Sequence, residues 1–143
     1  MKIPAKIEYA YKAVLELAAR YNGQNPIQIG AIAETQDIPK KFLIQLLLQL
    51  KSSHIVDSSR GVSGGYFLAR PPSEISLADV FKAVDDTILD AAKEIRTNKR
   101  SGSDRLILAI WSKINRDIAV KLESVTFDKL LSDLKSEEIT YSI

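Results

Sequence analysis

Five polar side chains between residues 40 and 60 have the types and spacing to grip a nucleic acid. Lys40 and Lys41 stand together, and Gln45 and Gln49 follow at an interval of four. Arg60 lies within the glycine-rich run Ser59-Arg60-Gly61-Val62-Ser63-Gly64-Gly65-Tyr66. On a helix, an interval of four stacks two side chains on one face. Lysines in the first turn neutralise phosphates, a glutamine amide pairs with the edge of adenine, and an apolar side chain such as Ile44 meets the methyl of thymine. An arginine on a flexible tip suits a narrow, electronegative minor groove.

These groups need a helix to hold them. Leu43, Leu46, Leu47 and Leu50 recur at helical spacing and predict a buried side, which leaves Lys40, Lys41, Ile44, Gln45, Leu48 and Gln49 on the other. Pro39 suits the first turn, where its missing N–H costs nothing. Upstream, residues 29–35 read as a short helix and Gln36-Asp37 as a turn. Downstream, Ile55-Val56 and Tyr66-Phe67-Leu68 read as strands around the glycine-rich turn. A helix-turn-helix followed by a basic hairpin is a winged helix, with Ser63 and Tyr66 on the wing beside Arg60. An apolar helix buried nearly all round is the rival reading of residues 40–51, and outward Leu48 favours that rival.

The remaining pattern is helical. Ile7, Ala10, Tyr11, Val14, Leu17, Ala18 and Tyr21 form a first amphipathic stripe that Asn22-Gly23 stops. Pro26-Ile27-Gln28 is extended. His54 sits at a post-helix position that tolerates a left-handed backbone. Pro71-Pro72 ends the hairpin, and Ser76 caps a fourth helix, with Asp79 at its positive end and Ile75 stapled to Val80. Residues 90–104 lose the apolar rhythm and carry Lys93, Arg96, Lys99 and Arg100, as a basic loop would. From Arg105 to about Ser124 a long helix resumes, with Ile107, Ile110, Trp111, Ile114, Ile118 and Leu122 on one side. Thr126 caps a short last helix through Leu134, Val125 stapling onto Leu130, and residues 135–143 read as a tail. The expected fold is mainly α with a small β-hairpin wing. Residues 1–72 form the winged module, 73–104 a connecting helix and loop, and 105–134 a dimerisation helix with the final helix. The long stripe predicts a homodimer whose two reading heads meet two half-sites of a palindromic duplex operator.

Composition narrows the chemistry. The chain has 143 residues, no cysteine and one histidine, His54, which excludes disulfides, thiol catalysis and Cys/His metal sites. No triad or carboxylate cluster supports an enzyme, and no cofactor is expected. Net charge is only +2, but residues 1–70 hold nine Lys/Arg against five Asp/Glu while residues 71–143 hold eleven against thirteen. The basic half contains the winged module, as phosphate neutralisation requires. No apolar run is long enough to span a membrane, and Met1-Lys2-Ile3-Pro4-Ala5-Lys6 lacks the apolar core of a signal peptide, so a cytoplasmic location is expected.

Several runs carry a resemblance to a known family. They are Tyr9-Ala10, Ile32-Ala33-Glu34, the stretch from Ile38 to Leu47, and, most specifically, Arg60-Gly61-Val62-Ser63-Gly64-Gly65-Tyr66-Phe67-Leu68-Ala69-Arg70-Pro71. Ile75 to Val80, Ala83-Val84-Asp85, Trp111 and Val125-Thr126-Phe127 follow at matching spacing. The chain resembles the Rrf2 family of winged-helix regulators over about residues 1–134. The resemblance implies a homodimeric repressor or activator whose long helices cross at the interface. It places Pro39, Lys41 and Ile44 where family members contact bases or phosphates, and Arg60 on the wing arginine. The iron–sulfur members carry three cysteines and a further ligand; the matching positions here are Lys93, Lys99, Arg105 and Leu108, none of which binds iron. Ile7-Glu8 replaces a common Gly-Arg, His54 a common glycine, and Ile44 an acidic base-reading residue of some members.

The expected activity is therefore sequence-specific duplex binding without a cluster. Lys6, Lys40, Lys41 and Lys51 would sit on phosphates, Gln45 and Ile44 on bases, and Arg60 in the minor groove. Two alternatives use the same scaffold. One is a protein-interaction adaptor with Ile44 and Leu48 in a greasy contact. The other is a small-molecule-gated regulator holding an anion at residues 93–105.

Overall fold

The computed structural model describes residues 2–21, 25–85 and 101–142. Helix α1 spans Ala5–Ala19, α2 Ile29–Gln36 and α3 Lys40–Ser52; strands β1 (Val56–Ser59) and β2 (Gly65–Leu68) follow. After a short 3-10 turn at Pro72–Glu74 come α4 (Leu77–Val84), α5 (Gly102–Glu123) and α6 (Phe127–Ser142). The hairpin is antiparallel, pairing Val56 with Leu68 and Ser59 with Gly65.

One core joins these elements. Ile7, Val14 and Leu17 from α1, Ile32 from α2, Leu43, Leu46, Leu47 and Leu50 from α3, Val56, Leu68, Val80 and Phe127 are all buried in it. The α3 leucines occupy the inner side that their spacing predicts, at 0–3% exposure. Buried Glu16 is satisfied: Gln36 Nε2 donates to it at 2.8 Å, and Arg20 Nε lies 2.9 Å away. A buried carboxylate without such partners would cost several kcal/mol, on the order of 3 or more.

The C-terminal helices are clasped to the winged part through backbone. Leu77 N–H donates to Val125 O at 2.9 Å, and Phe127 N–H donates to Ile75 O at 3.0 Å. Ser76 caps α4 through a full capping box: Asp79 N–H donates to Ser76 Oγ, and Ser76 N–H donates back to the Asp79 carboxylate. Tyr11 of α1 donates its hydroxyl to Leu77 O and sets its ring against Phe127, with centroids 6.3 Å apart.

Several boundaries differ from the sequence expectation. Pro39 is the N-cap of α3 and not part of its first turn. Helix α5 begins at Gly102, because the Ser101 hydroxyl accepts from Asp104 N–H and starts the helix a turn before Arg105. Helix α6 runs to Ser142, so residues 135–142 are helical and not a tail. No glycine or proline interrupts that stretch, and Thr140 Oγ1 folds back onto Ser136 O. The Thr126 hydroxyl goes to the Asp128 carboxylate. His54 does adopt the left-handed backbone, at φ 59°. The expected helix stop at Asn22-Gly23 and the basic side chains Lys93, Arg96, Lys99 and Arg100 lie outside the described residues.

Candidate nucleic-acid interface

The helix-turn-helix is set by the turn between α2 and α3. Asp37 takes a left-handed conformation at φ 52°, and Ile38 N–H donates to Ala33 O at 3.0 Å. Ile38 is buried beneath the turn, so the angle between the two helices is fixed by packing as well as backbone. Helix α3 then presents Lys40, Lys41, Ile44 and Gln45 to solvent. Pro39 is exposed at its start, and Gln49, round toward the flank, is half-buried.

The hairpin is held to the helices at two points. Lys51 Nζ at the end of α3 donates to Ser58 Oγ of β1 at 2.7 Å. Gln28 Nε2, just before α2, donates to Val62 O at the wing tip at 3.2 Å. A third backbone segment joins the sheet: Ile27 and Tyr66 exchange hydrogen bonds of 2.8 and 2.9 Å. This closeness explains two glycines. A Cβ at Gly64 would lie 2.5 Å from Ser59 O, and one at Gly65 would be driven into the Ile27 carbonyl. Gly65 also has a positive φ of 155°; Gly61 differs in that its φ of 107° demands glycine although the space beside it is open. Two of the wing glycines therefore serve internal packing, a role that their place in a glycine-rich turn does not disclose. The Gln28 tether was missed too, because nothing local connects residues 28 and 62.

Arg60 and Ser63 are exposed at the tip, while Tyr66 is half-buried against the core and paired with Ile27. Lys6, on the first turn of α1, is exposed. Lys51 is exposed but engaged by Ser58, so its ammonium is positioned and not free to rove. The structure thus leaves the outer side of α3 and the wing tip uncovered and ties them together.

The other predicted surface is on α5. Ile107, Ile110, Trp111 and Ile114 are 64%, 53%, 55% and 40% exposed. Ile118 and Leu122, nearer the clasp, are half-buried. Leu106, at 62%, extends the exposed stripe by a residue that the sequence reading left out.

Comparison with known proteins adds identity to this geometry. The family model described as "Rrf2: Iron-dependent Transcriptional regulator" matches residues 3–133. The chain belongs to the Rrf2 family of transcriptional regulators. It is 34% identical to the Synechocystis sp. protein slr0846, assigned as an HTH-type transcriptional regulator, over 95% of this chain and 91% of that one. It is 31% identical to the HTH-type transcriptional regulator IscR of Photorhabdus laumondii, over 93% of this chain and 80% of the relative. Among solved structures, T. potens IscR superposes with a TM-score of 0.73 at 28% identity, covering 94% of this chain and 88% of its own. CymR, the global cysteine regulator of B. subtilis, gives 0.72 at 27% identity, covering 92% and 97%.

A cysteine-ligated iron cluster does not fit the residues of this Rrf2 member. A cysteine-ligated cluster needs thiolates, and the chain has none. Among the described residues there is no group of three or more His, Cys, Asp or Glu side chains placed to hold a metal. Of the positions matching cluster ligands in the resemblance, Arg105 and Leu108 offer a guanidinium and an alkyl chain; Lys93 and Lys99 lie outside the described residues. No helix among the described residues is long and apolar enough to cross a membrane.

Proposed function

We propose that this Rrf2 regulator is a homodimer that binds a palindromic duplex operator in the cytoplasm and does so without an iron–sulfur cluster. The observation that carries the reading is the two-sidedness of α3. Four leucines anchor it in the core, while Lys40, Lys41, Ile44 and Gln45 stand in solvent beside a tethered, arginine-tipped hairpin. A helix of this kind enters the major groove and the wing reaches the adjacent minor groove. Lys6, Lys40, Lys41 and Lys51 would lie on phosphates, with Pro39 and Ser63 at the backbone. Gln45 and Ile44 would read bases, Gln49 and Tyr66 supporting at the rims.

The exposed stripe on α5 supports the dimer. Contiguous exposed Leu106, Ile107, Ile110, Trp111 and Ile114 form the kind of surface that monomers seldom leave in water. Seating it on a second copy would give the two-fold symmetry a palindrome mirrors.

Selection of bound fragments from a genomic library with purified protein tests both parts. A recovered palindrome supports specificity and two-fold assembly together. Recovery of nothing above background overturns the reading. An Arg60→Ala variant should then lose on the order of 1–3 kcal/mol of operator affinity; unchanged affinity would remove the wing from the interface. The adaptor reading keeps one supporting observation, the 60% and 53% exposure of Phe42 and Leu48 on α3. It predicts no retardation of any duplex.

A further inference from the structure

The outermost arc of α3 is unusual for a base-reading surface. At 3.6 residues per turn, Lys41, Ile44, Gln45 and Leu48 span about 100° of the helix, centred opposite the buried leucines. Leu48 lies near the middle of that arc and is 53% exposed; Ile44, one turn earlier, is 40% exposed. Lys41 and Gln45 are their polar neighbours on the same turns, and Lys40, Lys51 and Ser52 flank the pair on the turns before and after. No acidic residue occurs anywhere in α3.

This residue set is selective about what it can pair with. The exposed cytosine edge in the major groove is an amino donor, best met by a carboxylate, and α3 offers none. Thymine instead shows a C5-methyl group, which needs an apolar neighbour and is discriminated by area buried. Two aliphatic side chains four residues apart rise about 6 Å along the helix axis. That is close to two base-pair steps of about 3.4 Å.

We infer that Ile44 and Leu48 are specificity-determining residues that read the 5-methyl groups of two thymines about two steps apart in each half-site. Gln45, between them, pairs with an adenine edge. The inference rests on the DNA-binding reading above and names how that same surface chooses its sequence. Charge selects the occupant. Lys40 and Lys41 lie at one end of the arc, Lys51 and Arg60 on the adjoining wing side, and acids are missing from the helix. That surroundings suits a polyanion carrying methyl groups better than the apolar surface of a protein. Leu48, which has no role in the core, acquires one in the groove.

The experiment uses the full chain and the recovered operator, with each thymine in turn replaced by deoxyuridine, which removes the methyl and leaves every hydrogen-bonding group. Two positions per half-site should lose about fourfold in affinity each, the effect of one buried methyl-sized group. L48S should abolish the discrimination at one of them, and I44S at the other, while Leu48→Met retains most of it. Because both side chains are exposed, these variants should fold as the parent does, which circular dichroism checks. Specific operator binding that is indifferent to deoxyuridine everywhere overturns the methyl reading and leaves the DNA-binding reading standing. Failure to retard any duplex overturns both.

Discussion

Helices α3 and α5 carry the same kind of apolar stripe, yet one is covered and the other is not. In α3 the leucines at 43, 46, 47 and 50 are within 3% of full burial. In α5 Ile107, Ile110, Trp111 and Ile114 are 40–64% exposed. Both stripes follow helical periodicity, so periodicity alone does not say where the covering surface comes from. For α3 it comes from α1, α2 and α4 of the same chain. For the first half of α5 nothing among the described residues covers it, and a second copy is the proposed cover. The winged part therefore shares one intrachain core with α4 and the start of α6, while the exposed half of the long helix completes its packing in the proposed assembly.

The largest effect should come from charging the uncovered stripe. Ile110→Asp combined with Trp111→Asp would bury unpaired carboxylates in the proposed dimer. Each uncompensated buried charge costs about 3–5 kcal/mol, so dimer dissociation should rise at least about 100-fold. Sedimentation would show monomers with unchanged helical content, and operator affinity would fall with the lost second head. A dimer that survives the double substitution places the interface elsewhere.

Truncation of single side chains sharpens the contrast. Leu47→Ala should cost about 2–5 kcal/mol of unfolding free energy, at any protein concentration. Ile107→Ala should cost little in a dilute monomer and show its effect only where dimers form, so that its melting curve depends on concentration while that of Leu47→Ala does not. Equal and concentration-independent losses would mean that α5 is covered within its own chain.

Most of this architecture was legible because its signals are local. The leucine period of α3, the turn at Gln36-Asp37, the Ser76 cap and the glycine-rich hairpin are each written within a dozen residues. What escaped was decided across the chain. The Ile27–Tyr66 pairing, the Gln28 bond to Val62 and the Ile75–Phe127 clasp join residues dozens apart, and no periodicity announces them. The helical residues 135–142 were misread for a different reason: a polar amphipathic segment has too little apolar signal to separate helix from tail. In the candidate interface, the outward set on α3 followed directly from placing its leucines inside. The division of labour among the glycines did not follow, since φ and close approach are both properties of the folded hairpin.

The glycines give the next test. Gly65→Ala would press a methyl into the Ile27 carbonyl, and overpacking of this kind costs about 1–3 kcal/mol. Gly61→Ala meets open space but an unfavourable φ of 107°, so its cost should be backbone strain alone, about 1–2 kcal/mol. Thermal unfolding separates the two, and operator binding by folded Gly65→Ala should drop further, because the wing would have to move to make room. Stability loss confined to Gly61→Ala would show that the Ile27–Tyr66 pairing is not needed.

The smallest effect belongs to the joint between the two regions. Tyr11 reaches from α1 to Leu77 O and sets its ring at a tilt beside Phe127, at the place where the winged part meets α6. Burial raises its phenol from the ordinary value of 10.0 to about 12. A raised folded value means that the neutral phenol is favoured by folding. Its contribution is fully present below pH 10 and is lost as pH climbs from about 10 through about 12. The physical cause is that the phenolate would be poorly hydrated there. Tyr11→Phe should cost about 0.5–1.5 kcal/mol near neutrality, the net value of one hydrogen bond, and should flatten the alkaline limb of the stability curve. If the joint does link the two regions, the variant should also loosen α6 against α1 in amide exchange while leaving α3 protected. Equal exchange changes in α3 and α6 would show that the molecule opens as one unit, and that the contrast between its covered and uncovered helices does not extend to how it comes apart.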